Sequence, residues 1–166
     1  MRITRKSDYG LRAMVELARR YEESPVSIGE IAASQSIPDP FLEKIMQELK
    51  GAGLIRATHG RGGGYSLCRP PAEISVREVI EALEGPVALV NCLDASLRCE
   101  IEQGCPTSAF WAVINERFQR ALGETTLDDL LRTTSNSPAR DPEGRARARS
   151  RPRPRSRSTV PTPSGS

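Results

Sequence analysis

The residues with the sharpest chemistry are thiols. Cysteines stand at positions 68, 92, 99 and 105. Six residues separate Cys92 from Cys99, and five separate Cys99 from Cys105. Tetrahedral zinc sites usually contain a pair two to four residues apart, and that pair is missing. Three widely spaced thiols on one stretch can instead wrap a larger object, such as an iron–sulfur cluster. Unliganded cysteines are the plain alternative. Cys68 ends a short apolar alternation and is expected to be a small buried residue. With one histidine in the chain, acid–base catalysis has little to work with. The glycine run after His59 is not followed by a helix that could receive a phosphate.

A second set of residues has the chemistry to read nucleic acid. After Pro38, the residues Leu42, Ile45, Met46 and Leu49 repeat at helical spacing. That leaves Phe41, Glu43, Lys44, Gln47 and Glu48 on the outward side. Gln47 can pair with adenine, and Glu43 can accept from cytosine N4. Lys44, Lys50 and Arg56 can hold phosphate and set the register. Arg61, with His59 beside it, lies where a glycine-rich tip could carry it into a narrow minor groove. Gly62, Gly63 and Gly64 would let backbone approach a surface that side chains keep at a distance. A solvated helix face and an ordinary surface hairpin are the plain alternatives.

These residues need elements to hold them. Leu11, Met14, Val15, Ala18 and Tyr21 make one apolar face over residues 8–21, with Ser7 as expected N-cap and Asp8 in the first turn. Ser27 and Glu30 have capping-box spacing and open a short helix that ends near Ser36. Asp39 and Pro40 read as N-cap and first residue of a third helix. Leu54 to Thr58 and Tyr65 to Cys68 then read as two strands of a hairpin. Helix, helix, turn, helix, hairpin is the order of a winged helix-turn-helix. A second capping box, Ser75 with Glu78, opens a helix on Val76, Val79, Ile80 and Leu83. Pro106 and Thr107 introduce a long helix with a wide apolar side from Phe110 to Leu122, and Thr126 caps a last short one. The fold class expected is mainly α with a small β wing. The expected division is a DNA-binding domain at 1–84, a cysteine loop at 85–106, a long helix and last short helix at 107–132, and a tail at 133–166.

Charge divides the chain in the same way. The 24 basic and 21 acidic residues give a formal charge of +3. From Thr134 onward there are eight arginines and two acidic residues, so the part before it has a small acidic excess. The tail has six of the 13 prolines and no aromatic residue. It cannot bury enough surface to offset chain entropy and is expected to be disordered. Its arginines would add non-specific DNA affinity through counterion release, or simply keep it soluble. No run approaches the ~18–20 apolar residues of a membrane span. The first residues lack the apolar core of a secretory signal. The expected location is the cytoplasm, where thiols stay reduced and no disulfide framework forms.

Several local motifs carry a resemblance. The opening Met1-Arg2-Ile3-Thr4, the run Tyr9-Gly10-Leu11-Arg12-Ala13-Met14, the run Phe41-Leu42-Glu43-Lys44-Ile45, the Gly-Arg-Gly-Gly-Gly-Tyr wing and the three cysteines together resemble the IscR/NsrR-type (Rrf-two) family of bacterial iron–sulfur transcription regulators. The likeness covers about residues 1–132. It implies a homodimer paired through the long C-terminal helix, with a four-iron or two-iron cluster on Cys92, Cys99 and Cys105. It also implies that the helix around Glu43 and the wing around Arg61 contact double-stranded operator DNA. Some members carry a histidine just after the third cysteine, but here that stretch is Pro106-Thr107-Ser108. In others an aspartate near the N-terminus of the partner subunit fills the fourth position, and Asp8 sits at the matching place. A helix-terminal carboxylate favoured by the macrodipole is the other reading of Asp8. The function expected is a repressor whose operator affinity depends on a cluster that responds to nitric oxide, redox state or iron supply. Its rivals are a winged-helix regulator using its thiols as a redox or zinc switch, and a small iron–sulfur oxidoreductase.

Overall fold

A computed structural model describes residues 4–93 and 105–135. Cys99 and the tail beyond residue 135 lie outside the described residues. Six helices and one two-stranded antiparallel sheet follow in the order α1 (Arg5–Arg19), α2 (Ile28–Gln35), α3 (Asp39–Gly51), β1 (Ile55–Thr58), β2 (Gly64–Leu67), α4 (Val76–Glu84), α5 (Ser108–Glu124) and α6 (Leu127–Ser135). The mainly helical class with a small wing is what the periodicities call for.

The starts of α1 and α3 differ from expectation. Thr4 caps α1, accepting from the Lys6 N–H, so the helix begins three residues before Asp8. Ser7 is no cap: its side chain is fully buried and donates to Glu84 at 2.8 Å. In α3 the extended residue is Pro38, which places Asp39 and Pro40 both inside the helix with no side-chain cap. Asp39 then acts through the macrodipole of the first turn. Ser27 and Ser75 do form full capping boxes with Glu30 and Glu78. Ser36, with φ 51°, ends α2 in the left-handed region.

One core joins these elements. Met14 and Leu17 of α1 meet Ile31 of α2, Leu42, Ile45, Met46 and Leu49 of α3, and Val79 and Leu83 of α4. Each fully buried aliphatic of this kind contributes roughly 1.5–3 kcal/mol. Gly10 is needed for the approach of α1 to α4, since a Cβ there would stand 2.2 Å from Leu83 Cδ1. The wing joins the core through Ile55 and Leu67, which face each other across the strands. Cys68, next in the alternation, points outward and is exposed, contrary to expectation.

The last helix returns to the first. Leu127 of α6 is fully buried in the main core, and Leu130 and Leu131 pack against it. The turn before α6 pairs with the turn before α4 through Val76 N–H to Thr125 O at 2.8 Å and Leu127 N–H to Ile74 O at 3.0 Å. By contrast α5, seventeen residues long, buries only Asn115 fully.

Candidate nucleic-acid interface and cysteine segment

The outward face of α3 is left open by its packing. Its four core residues take one side, so Phe41, Glu43, Lys44, Gln47 and Lys50 are left exposed. Among the described residues, Glu43, Lys44, Gln47 and Lys50 have no side-chain partner. They are available to base edges and phosphates. Glu48 differs: it is half-buried and turned toward α1, where Lys6 holds it at 3.0 Å. Phe41 is 52% exposed and braced edge-on by Tyr9, with ring centroids 6.1 Å apart.

Arg5 and Lys6 border this face and were not legible there from the sequence. A groove of about 520 Å³ runs between the first turn of α1 and the first half of α3, lined by Thr4, Arg5, Lys6, Pro40, Phe41, Lys44 and Ile45. Its walls are mostly apolar. Among the described residues Arg5 and Lys44 stand at it without an ion-pair partner, while Lys6 is committed to Glu48. Two adjacent basic residues just after a helix cap were the available signal.

The wing stands beside this surface. Thr58 pairs with Gly64, so His59 to Gly63 form the tip, and His59 and Arg61 are exposed on it. Gly60 and Gly62 have φ of 101° and 79°, conformations that need glycine. Gly63 and Gly64 have another reason. A Cβ at Gly63 would stand 2.3 Å from Thr58 O, and one at Gly64 2.4 Å from Val26 O. The close surface is thus the protein's own backbone. Tyr65 exchanges two backbone hydrogen bonds with Val26, next to the Ser27 cap of α2. Arg56 lies outward on β1, its Nε donating to Ser66 Oγ at 3.3 Å.

The cysteine segment starts where α4 ends. Cys92 lies in a short 3-10 turn, Asn91–Leu93, and is exposed. Two amides of α5 grip the backbone leading to it: Asn115 Oδ1 accepts from the Leu89 N–H at 2.9 Å, and Gln119 Nε2 donates to Val87 O at 2.6 Å. Cys105 is half-exposed, just ahead of α5. The Thr107 hydroxyl beside its sulfur, then the Thr107 and Ser108 N–H groups, hold the Cys105 thiol below the ordinary thiol range. Asp8 is exposed and paired with Arg12 at 3.6 Å. It caps no N–H group. Among the described residues no three His, Cys, Asp or Glu side chains come together as a metal-holding group. Cys92 and Cys105 lie at the two ends of a segment whose third thiol, Cys99, is outside the described residues.

A three-helix unit with its third helix outward, carrying a two-stranded wing, defines a winged helix-turn-helix protein. The chain belongs to the Rrf2 family, described as iron-dependent transcriptional regulators, which it matches over residues 3–133. It is 37% identical over 138 residues to the protein rrf2 of Nitratidesulfovibrio vulgaris, spanning 83% of this chain and 92% of that one. Its fold is similar to that of CymR, the global cysteine regulator of B. subtilis. The TM-score is 0.70 at 32% identity, covering 80% of this chain and 98% of that one. It is also similar to T. potens IscR, with a TM-score of 0.67 at 30% identity over 85% and 94% of the two chains. The chain is accordingly a DNA-binding transcription regulator. Among the described residues no helix is long and apolar enough to cross a membrane.

Proposed function

We propose that this regulator is a homodimeric repressor whose operator affinity is set by an iron–sulfur cluster on Cys92, Cys99 and Cys105. The observation that carries the reading is the donor set. Three thiols without a closely spaced pair occupy one segment, in a family described as iron-dependent. The residues suit such a group, because Cys105 is tuned toward the thiolate that metals bind and Cys92 is open to solvent. Asp8, exposed and held by a long ion pair with Arg12, suits a fourth ligand given across the dimer. A bound cluster supplies a group that nitric oxide, oxygen or iron scarcity can remove.

What the chain itself does is read DNA. Gln47 and Glu43 face base edges, while Lys44, Lys50 and Arg56 meet phosphates with Arg5 at the groove. Phe41 lines the approach, and Arg61 and His59 reach the neighbouring groove from the wing. The exposed Phe110 and Val113 of α5 pair two copies, which sets the reading helices about one DNA turn apart.

A second reading has its own support. A half-exposed Cys105 thiol whose pKa is lowered by Thr107 would also suit a direct thiol switch, and one structural relative is a global cysteine regulator. One experiment separates the two: protein purified without oxygen is assayed for iron and sulfide, then for affinity to an operator recovered by genomic selection, before and after metal removal. Iron and sulfide in stoichiometric amount, with a loss of affinity on stripping, support the cluster. A colourless protein whose affinity changes only with thiol oxidation overturns it.

A further inference from the structure

Glu84 is the last residue of α4, and the chain leaves that helix at Gly85, with φ 82°, on its way to Cys92. Its carboxylate is not left to solvent. Both hydroxyls of the first turn of α1 donate to it, Thr4 from the cap and the buried Ser7 at 2.8 Å. Lys6 lies close enough to add its charge, and its ammonium donates to Glu48 of α3 at 3.0 Å. Two polar links held by neighbouring residues of α1 thus lie side by side, Ser7 to Glu84 at the root of the cysteine segment and Lys6 to Glu48 on the reading helix. Partial burial pushes the Glu84 carboxyl up, but the Thr4 and Ser7 hydroxyls and the Lys6 charge outweigh it and leave it below the ordinary value. The group is ionised whenever the protein is at neutral pH.

The surroundings make these links stiff. Gly10 brings α1 against Leu83, so the end of α4 cannot shift without moving α1. Asn115 and Gln119 hold the other side of the segment at Leu89 and Val87. A rearrangement near Cys92 therefore has few ways to dissipate.

We infer that Glu84 is a positioning residue that couples the cysteine segment to α3, acting through Ser7, Lys6 and Glu48. The inference rests on the reading of that segment as a switch, but not on which group its thiols hold. When the segment changes state, Glu84 shifts, and the Lys6–Glu48 pair re-aims the half of α3 that carries Lys44 and Gln47.

Coupling between two sites is reciprocal. Binding at α3 must therefore alter Cys92 even when no metal is present. The test uses full-length, iron-free protein with and without a saturating duplex of the operator recovered by selection. The rate of Cys92 modification by N-ethylmaleimide is followed by peptide mass spectrometry. In the wild type, DNA should change that rate by about fivefold or more. Glu84→Gln and Glu48→Gln, which cut one link each, should each bring the change to about onefold. A purely structural role would lower the melting temperature and leave the DNA-induced change intact. An equal change in wild type and both variants overturns the inference, as does no change in the wild type. If one variant fails to fold, the other carries the test. Absence of iron and sulfide from anaerobic protein would sink the cluster reading alone and leave this result standing.

Discussion

Cys105 owes its chemistry to two neighbours that begin α5, and this makes it testable as a single residue. In iron-free protein its alkylation rate should rise with pH about a midpoint lower than that of an unperturbed thiol. Thr107→Val removes the largest cause of the shift and should move that midpoint back up. Asp8 is testable in the loaded protein. Asp8→Ala should leave the dimer intact and speed cluster loss. Equal decay rates in the two proteins would return Asp8 to the role of a helix-terminal carboxylate, with ~1 kcal/mol or less at stake. The outward face of α3 was legible except at Glu48, which turns to Lys6 of α1, because four core positions at helical spacing leave little choice about the rest. Cys68 was misread because it comes directly after Leu67, the buried last residue of β2, and the side chain after a buried strand residue points the other way. The setting of Cys105 was not legible, since it depends on where α5 starts to within one residue.

Among the elements, the wing makes the sharpest prediction. Gly64→Ala would force a Cβ against Val26 O and break the pair of backbone bonds between Val26 and Tyr65. The cost should be about 2 kcal/mol, read as a lower denaturant midpoint. Operator affinity should fall with it, because the tip that carries Arg61 loses its anchor to α2. The start of α4 predicts a pH effect. Burial pushes the Glu78 carboxyl up, but the Ser75 N–H, the Arg69 guanidinium and the Ser75 hydroxyl bring it below the ordinary value. A carboxyl lowered by folding stabilises the protein above about pH 4.3, the unfolded value. That contribution is lost as pH falls through the lower folded value. In Glu78→Gln the fall of the denaturant midpoint over this acid range should be shallower. Capping boxes at Ser27 and Ser75 were legible because each is announced by two residues at fixed spacing. The starts of α1 and α3 were not, because a threonine and an extended proline took over from Ser7 and Asp39.

For the whole molecule, α5 is the element out of balance with its own chain. Phe110 is 58% exposed and Val113 47%, while its buried Asn115 holds backbone and not the core. Phe110→Glu combined with Val113→Glu should yield a folded monomer by analytical ultracentrifugation. Its operator affinity should fall steeply, since two half-sites are no longer read together. An unchanged dimer would mean that another surface pairs the copies. The order of elements was legible from periodicity and turn signals. The link from Glu84 to Ser7 was not, because it joins residues 77 positions apart that carry no shared pattern. The same distance governs Leu127. It fills the core beneath α1 and is tied by backbone to Ile74, yet it follows all three cysteines of the segment in sequence. Without it the core has a leucine-sized hole, worth about 2–5 kcal/mol. A ribosome delivers this chain from its N-terminus, so the reading unit stays unfinished until the cysteines have already emerged. A message broken between α4 and α6 would therefore yield no completed DNA-reading unit stripped of its cysteine segment.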